Sequence, residues 1–563
     1  MMQGMLGMRD LKAQDLYGLA PQAVTALAAQ MLEHIEQQAR QIEFKEQQIQ
    51  RQARDIAWRD AKLEKLNFEL ARLKRWKFGA RTEAMSIEQR QMFQDTLLED
   101  EASLQAQLAQ LQAQRAAAAA QAPAVPKTAP QRPRRQALPE HLERVEHRHE
   151  PEHTACPTPG CGEPMTRVGE DVSERLDIVP AQFFVHRHIY GKWVCRCCER
   201  LVQEAAEPQI IDGGVPASGL LAHTLISRFA DHLPYYRQEA INARSGVHTP
   251  RSTLAAWAGQ AGAALEPLYE AHKRFVLGCT VLHADETPVA MLDPGSGKTK
   301  RAYVWAYARG ELDAQRGVIY EFCLGRGSQY PLAFLGGTTG PPPREAGAHP
   351  PWSGTLVCDQ YAGYDRALDA RVFPQRIAAG CVVHARRKFD ELAKAGASAV
   401  AVEAIRRIGW IYHLEGQFQG MDAQHRQAAR KQLTKPLWQE LHLWLKLERA
   451  RVIDGGATAG AIDYSLNNWA SLTRHLEDGA VPLDNNFLER QIKPWQMGRK
   501  AWLFCGSELA GQRAAVVMSL VQSAKLNGLD PWAYLRDVLA RLPTHLNSRI
   551  DELLPHRWSA APG

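Results

Sequence analysis

The chain has 563 residues, 45% of them apolar, and a formal charge of +6. Single hydrophobic cores rarely grow past roughly 250–300 residues, so several domains are expected. No apolar run approaches a membrane span, and no signal-peptide core accompanies Arg9, Asp10 and Lys12; this argues for a cytoplasmic protein with no membrane partner, and the mild basic charge permits nucleic-acid binding without demonstrating it.

Residues 1–120 read as a helical region. Ile35, Ile42, Ile49, Ile56, Leu63 and Leu70 recur every seven residues among Gln, Glu, Lys and Arg, the pattern of a leucine-zipper-like seam that would join copies of the chain into a homo-oligomer. The second seam position is poor: Gln38, Lys45, Gln52 and Arg59 on one reading, Ala39, Glu46, Ala53 and Asp60 on the other. A weak or register-ambiguous coiled coil is therefore expected, tightening towards Leu73. A second helix over 86–119 is placed to fold back on the first, and residues 121–150 read as a linker rich in Pro and Ala.

In residues 151–206, Cys156 and Cys161 precede a strand-rich insert at 185–194, and Cys195 and Cys198 follow it. Without an export signal, disulfides are disfavoured. Two paired sets suit a tetrahedral thiolate site for structural Zn²⁺, with Zn–S near about 2.3 Å. Cys197 is then a spare neighbour, His153 and His188 are rival ligands, and reduced cysteines without a metal are the plain alternative. Residues 207–272 read as helical, and 236–244, a turn at Ser245-Gly246-Val247 and a helix from Thr249 have the layout of a helix-turn-helix. Its second helix would offer Arg251 and Ser252 to DNA.

The apolar run from Phe275 to Leu282 reads as a buried strand that ends in His283-Ala284-Asp285-Glu286-Thr287-Pro288. Strands at 302–307 and 318–322 complete a meander, and Thr355-Leu356-Val357-Cys358 runs into Asp359. A strand over 376–383 is expected next. Asp484 reads as the N-cap of a short helix that carries Glu489 and stops before Pro494. Carboxylates delivered by two strand ends and a helix suit a pair of hard divalent cations able to stabilise a phosphodiester displacement, although any one acid alone is more often a solvated turn residue. On its strand, Glu286 points away from Asp285.

These segments, with Cys358-Asp359-Gln360-Tyr361, Gly363-Tyr364, His384-Ala385-Arg386-Arg387-Lys388-Phe389, Asp484-Asn485-Asn486, Glu489-Arg490 and Gly498-Arg499-Lys500, resemble the IS66 family of insertion-sequence transposases, in the same order from about Leu63 to Pro543. The resemblance implies a multidomain α/β protein: an RNase H-like DDE core at 273–510 with an all-helical insertion at 385–476, a C-terminal helical element at 511–563, and the coiled coil, zinc module and helix-turn-helix before them. It maps the triad onto Asp285, Asp359 and Glu489, which would hold two Mg²⁺ (or Mn²⁺) ions, with Asp285 bridging. It implies strand cleavage and transfer on the terminal inverted repeats of an element and on target DNA, small accessory proteins of the same element as partners, and a nucleoid-associated bacterial protein. The family's zinc element also has four cysteines, with a more tightly spaced first pair.

Arg386, Arg387 and Lys388 form a basic run placed to hold a DNA backbone beside the acids, and Arg490, Lys493, Arg499 and Lys500 extend it. A solvated face is the bland reading of such a run. Trp495 and Trp502 are interleaved as base-stacking or core residues, with core favoured for Trp502. A nuclease without strand transfer would share the triad but need no zipper, and a zinc-containing DNA-binding repressor would not need the triad.

Overall fold

The computed structural model describes residues 142–150, 163–179, 182–293, 298–336, 351–395 and 398–560, with 66, 70, 95, 96, 98–110, 112, 140 and 155. The chain divides into two compact units, 1–72 with 108–123 and 73–107 with 124–563. In the first, Leu66 and Leu70 are helical, and the heptad positions from Ile35 to Leu63 lie outside the described residues. The second is mixed α/β.

Its first sheet comprises β1 (Arg144–His149), β2 (Thr166–Val179), β3 (Gln182–Val194) and β4 (Leu201–Gln203), in the order β1-β3-β2 with β4 on β3. β1 corrects the expected linker: 144–149 alternates charged and imidazole side chains with period two and pairs in parallel with β3, from Arg144 against Val185 to His149 against Tyr190. Four helices follow, α1 (Ser218–Phe229), α2 (Tyr235–Arg244), α3 (Arg251–Ala264) and α4 (Glu266–Leu277). The apolar run at Phe275 is therefore the end of a helix and not the start of a strand. Leu268, Ala271, His272 and Val276 share the buried face of α4 at helical spacing. Gly278 closes the helix, and the strand begins at Val281.

The second sheet holds five strands, β5 (Val281–Asp293), β6 (Lys298–Arg309), β7 (Gly317–Cys323), β8 (Gly354–Cys358) and β9 (Arg376–Gly380), in the order β7-β6-β5-β8-β9. β5, β6 and β7 form the expected antiparallel meander, whereas β8 is parallel to β5 and β9 to β8. β7 is an edge whose outward N–H groups need partners. α13 (Glu508–Leu526) supplies them, because the Ser523 hydroxyl accepts from the Val318 N–H at 3.0 Å and the Ser519 hydroxyl from the Tyr320 N–H at 2.9 Å. The helix approaches so closely that a Cβ at Gly511 would meet the Phe322 ring at 2.4 Å. The segment after 511 is therefore part of the sheet's own core and not an appendage.

After β9 the chain turns helical at once, and α6 (Val382–Lys394) replaces the last two residues of the expected strand. Past α5 (Gln329–Phe334), which lies between β7 and β8, α6 and the helices α7 (Ala399–Gln417), α8 (Ala423–Ala429), α9 (Lys435–Arg449), α10 (Ala457–Asn467) and α11 (Trp469–Leu472) surround a separate core that includes Phe389, Ile408, Trp438, Leu441 and Ile462. Arg430 is fully buried there, because Glu415 and the backbone carbonyls of His475, Asp478 and Val481 satisfy its guanidinium. The helices between β9 and α12 (Asn486–Trp502) thus have an apolar core of their own.

Candidate active site

β5 is the central strand of its sheet, and it carries Asp285 opposite Ala306 of β6. Asp359 is the first residue beyond β8, the neighbouring parallel strand. Its carboxylate accepts from the Tyr361 N–H at 3.0 Å, and Gln360 between them is held at φ 65°, a left-handed turn that a branched side chain would resist. Gly363 is required two residues on, where a Cβ would lie 2.3 Å from the Tyr361 ring.

Glu489 sits in the first turn of α12. The N-cap position is Asn485, one residue after the expected Asp484. Asn485 is fully buried: its amide donates to the Ala284 carbonyl at 3.0 Å, and its carboxamide oxygen meets His283 Nδ1 at 2.7 Å. The start of α12 is thereby fastened to β5 beside Asp285. Asp484 instead accepts from the Asn486 N–H and from Tyr412 of the helical insertion. Pro494 does not stop the helix; it lies inside α12, and the carbonyl it leaves without a helical donor belongs to exposed Arg490.

The three acids meet electrostatically. Burial pushes the Asp285 carboxyl well above its ordinary range, and Glu286, Asp359 and, more weakly, Glu489 push it further. Beside Glu489, His384 Nδ1 lies 3.9 Å from the carboxylate Oε1, and both atoms are buried without a hydrogen-bond partner. Cys381, His384 and Glu489 offer ligand atoms all within 4.8 Å of one another. Sequence reasoning treated His384 as a motif landmark and missed Cys381; the Cys-x-x-His spacing at the start of α6 was the available signal.

Glu286 follows Asp285 on β5 but does not face solvent, and it is the strongest charge acting on the Asp285 carboxyl. Its side chain is 1% exposed, accepts from Arg326 Nε at 2.6 Å and from the Tyr364 hydroxyl at 3.1 Å, and has its pKa raised chiefly by burial. Arg326 in turn stacks on Tyr361 at 3.6 Å. The neighbour of Asp285 is thus a buttress of the Asp359 turn.

This arrangement lies within residues 213–513, which match the family model described as Transposase IS66 family. The chain belongs to that family. Residues 519–556 match the IS66 C-terminal element, 154–199 the zinc-finger binding domain of transposase IS66, and 65–146 a model described as Transposase C of IS166 homeodomain. Two relatives from Sinorhizobium fredii, the uncharacterized proteins y4jD and y4qI, are 35% and 36% identical over 438 residues, which covers 75% and 76% of this chain and 82% and 78% of theirs. Membership makes this IS66 chain a transposase with DNA as its partner. No helix among the described residues is long and apolar enough to cross a membrane.

Other expected IS66 site residues are spread over several elements. Cys156, Cys161 and His153 lie outside the described residues, whereas Cys195 is buried at the end of β3 and Cys198 is exposed in the turn that leads to β4. His188 lies seven positions up the same extended strand, roughly 23 Å from Cys195, too far to share an ion with it. Ser252 is exposed on α3, but Arg251 faces buried Asp95 at 3.8 Å, and the backbone at Glu99 leaves no room for a Cβ at Gly259. One side of the second helix of the helix-turn-helix is thus covered by 95–103. Trp495 is fully buried between Tyr320 and Trp502, a core residue unable to stack on a base.

Arg386, Arg387 and Lys388 are exposed on α6; Arg387 reaches to 3.8 Å from Glu489, and Lys388 lies over the Tyr464 ring. Arg490, Lys493 and Lys500 are exposed on α12, Arg490 pairing with Glu311, while Arg499 donates to the Pro288 carbonyl. Replacing Arg386 and Arg387 together by Ala should weaken DNA binding most at low salt and flatten its salt dependence by about two phosphate contacts. An unchanged slope in a filter-binding or anisotropy titration would return them to the solvated surface.

Proposed function

We propose that the chain is a DDE transposase with an RNase H-like core, in which Asp285, Asp359 and Glu489 hold two divalent ions, Mg²⁺ or Mn²⁺, and which cleaves the ends of its element and joins them to target DNA. The observation that supports this reading is the placement of three acids on a central strand, at the end of its parallel neighbour and in the first turn of a helix fastened to that strand, with Asp359 and Glu489 both raising the pKa of Asp285. The residues suit hard cations: carboxylate oxygens dominate, and the buried Glu489 Oε1 lacks a partner. Bound there, the ions would lower the pKa of an attacking water or 3′-OH and stabilise the leaving oxygen. Asn485 and His283 set the distance between α12 and β5, Tyr464 fixes the Asp359 backbone through a 3.0 Å hydrogen bond, and Arg387 with the rest of the α6 run neutralises the approaching phosphates. The Cys156, Cys161, Cys195 and Cys198 set is proposed as a structural zinc site, the heptad region as the self-association element, and α2–α3 as the reader of the element ends.

A test uses purified protein, an end-sequence duplex and a supercoiled target with Mg²⁺. Nicking at the end followed by joined end–target product is expected. Nicking without joined product would leave a nuclease, and specific binding without nicking would leave a repressor.

A further inference from the structure

Two identical tripeptides, His147-Arg148-His149 and His186-Arg187-His188, stand on neighbouring strands β1 and β3. Period two puts the four imidazoles on one face and the two arginines on the other. The parallel register sets His147 beside His188, and the rings stack as a ladder with centroids 4.9 Å apart for His147–His188 and 5.4 Å for His149–His188. Across the ladder, His147 Nε2 faces His186 Nδ1 at 2.9 Å and His149 Nε2 faces His188 Nδ1 at 3.1 Å. The cluster lines an open cavity of about 560 Å³ whose other lining includes Trp532 and Arg536 of α14 (Pro531–Arg541), Trp558 and Arg175.

Protons can be assigned from this geometry. Asp177, 3% exposed, only accepts, so His186 must donate Nε2–H to it across their 2.7 Å contact. Its other nitrogen, Nδ1, faces His147. A carboxylate that orients a histidine from behind while the opposite nitrogen faces another imidazole is the outer-shell arrangement of histidine metal sites. Two nitrogens on one tetrahedral ion with Zn–N of about 2.0–2.1 Å lie about 3.3 Å apart, so each facing pair need open by only a few tenths of an ångström.

We propose that this cavity binds a borderline divalent transition-metal cation of the Zn²⁺ class, held by His147 Nε2 and His186 Nδ1, with the His149–His188 pair and cavity water available to complete its coordination. On binding, the proton between the facing nitrogens is transferred by way of solvent to His147 Nδ1, so both rings ligate as neutral imidazoles and no net proton is released. The site is distinct from the cysteine set, since His186 and His188 lie nine and seven residues up β3 from Cys195. It joins the first sheet to the C-terminal helices.

The probe is Co²⁺, titrated into chelator-treated full-length protein and read by absorption, because thiolate ligands add a charge-transfer band that imidazoles do not. With Asp285→Ala as the background, so that the proposed acid site is disabled, and excess Mg²⁺ present, the chain should take up cobalt in two forms, about one ion per chain with thiolate absorption and about one without. His147→Gln with His186→Gln should remove the second form and leave the thiolate band, and Cys198→Ser should do the reverse. Uptake and spectrum unchanged in the histidine variant would overturn the proposal, as would cobalt that is thiolate-bound only in the Asp285→Ala background. Should the double variant lose its circular-dichroism signature of folding, Asp177→Asn decides instead. It keeps the side-chain volume and should weaken the thiolate-free binding about 10–100-fold; unchanged affinity there overturns the proposal.

Discussion

Asp285→Ala, Asp359→Ala and Glu489→Ala will each lower Mg²⁺-dependent cleavage of an element-end duplex by at least about 10²-fold, since each removes an anionic oxygen ligand from a site whose charge stabilisation amounts to several kcal/mol. Binding of the end sequence should persist, because the DNA contacts proposed for the exposed cations of α6 and α12 remain. Folding should persist as well. In the metal-free protein the Asp285 carboxyl is penalised by burial and by Glu286 and Asp359, so its removal should leave the thermal midpoint unchanged or raise it. Glu286 requires a different control from the one strand alternation alone suggests. Ala at this position would strip buried pairing from Arg326 and Tyr364, so Glu286→Gln, which retains a carboxamide oxygen for them, is the variant expected to cleave nearly as well as wild type. Cleavage lost in Glu286→Gln and kept in Asp285→Ala would shift the register of the proposed site by one residue. Wild-type cleavage in all three triad variants would remove the DDE assignment.

How much of this was legible in the sequence differs from element to element. Asp359 could be placed because an apolar β-branched run that ends in an acid marks a strand leaving the core, and β8 does so; β5 instead continues to Asp293 and carries Asp285 in its interior, not at a strand end. Glu489 could be placed on a helix, but not that helix's limits. The cap is chosen by tertiary contacts, since the Asn485 amide is used by β5 while the Asp484 carboxylate is drawn to Tyr412. The run at Phe275 is ambiguous by composition, and only its continuation backwards through His272 and Leu268 at helical spacing distinguishes it from a strand. β1 was hidden because 144–149 is almost entirely charged or imidazole and its pairing partner lies some forty residues later. Cys381 and His384 lay in plain view as a short motif, but their proximity to Glu489 depends on β9 ending where it does.

Arg513→Met should be the most destabilising single change away from the site. Arg513, on α13, is 3% exposed and donates to Glu99 at 3.1 Å and to Asp100 at 3.1 Å, acids of the 98–110 helical stretch that are themselves 3% and 0% exposed. Met preserves the volume of the stem but leaves both buried acids without their shared arginine, with Arg228 still 3.9 Å from Glu99 and Ser507 hydrogen-bonded to Asp100. Removing one partner of a buried ion pair typically costs about 3–5 kcal/mol, because the remaining charge is uncompensated. The sign of the pH dependence distinguishes this cause from lost packing. Asp100 already has a folded-state pKa raised to about 6, mainly by burial, and losing Arg513 raises it further. As pH falls from about 8 to 5 the folded variant takes up protons that the unfolded chain, with carboxyls near about 4, does not yet bind, so stability is regained and the deficit should shrink. Urea unfolding of both proteins across that range measures it. A deficit independent of pH would assign the loss to the packing of the arginine stem against Gly262, where a Cβ would lie 2.5 Å from its Cγ.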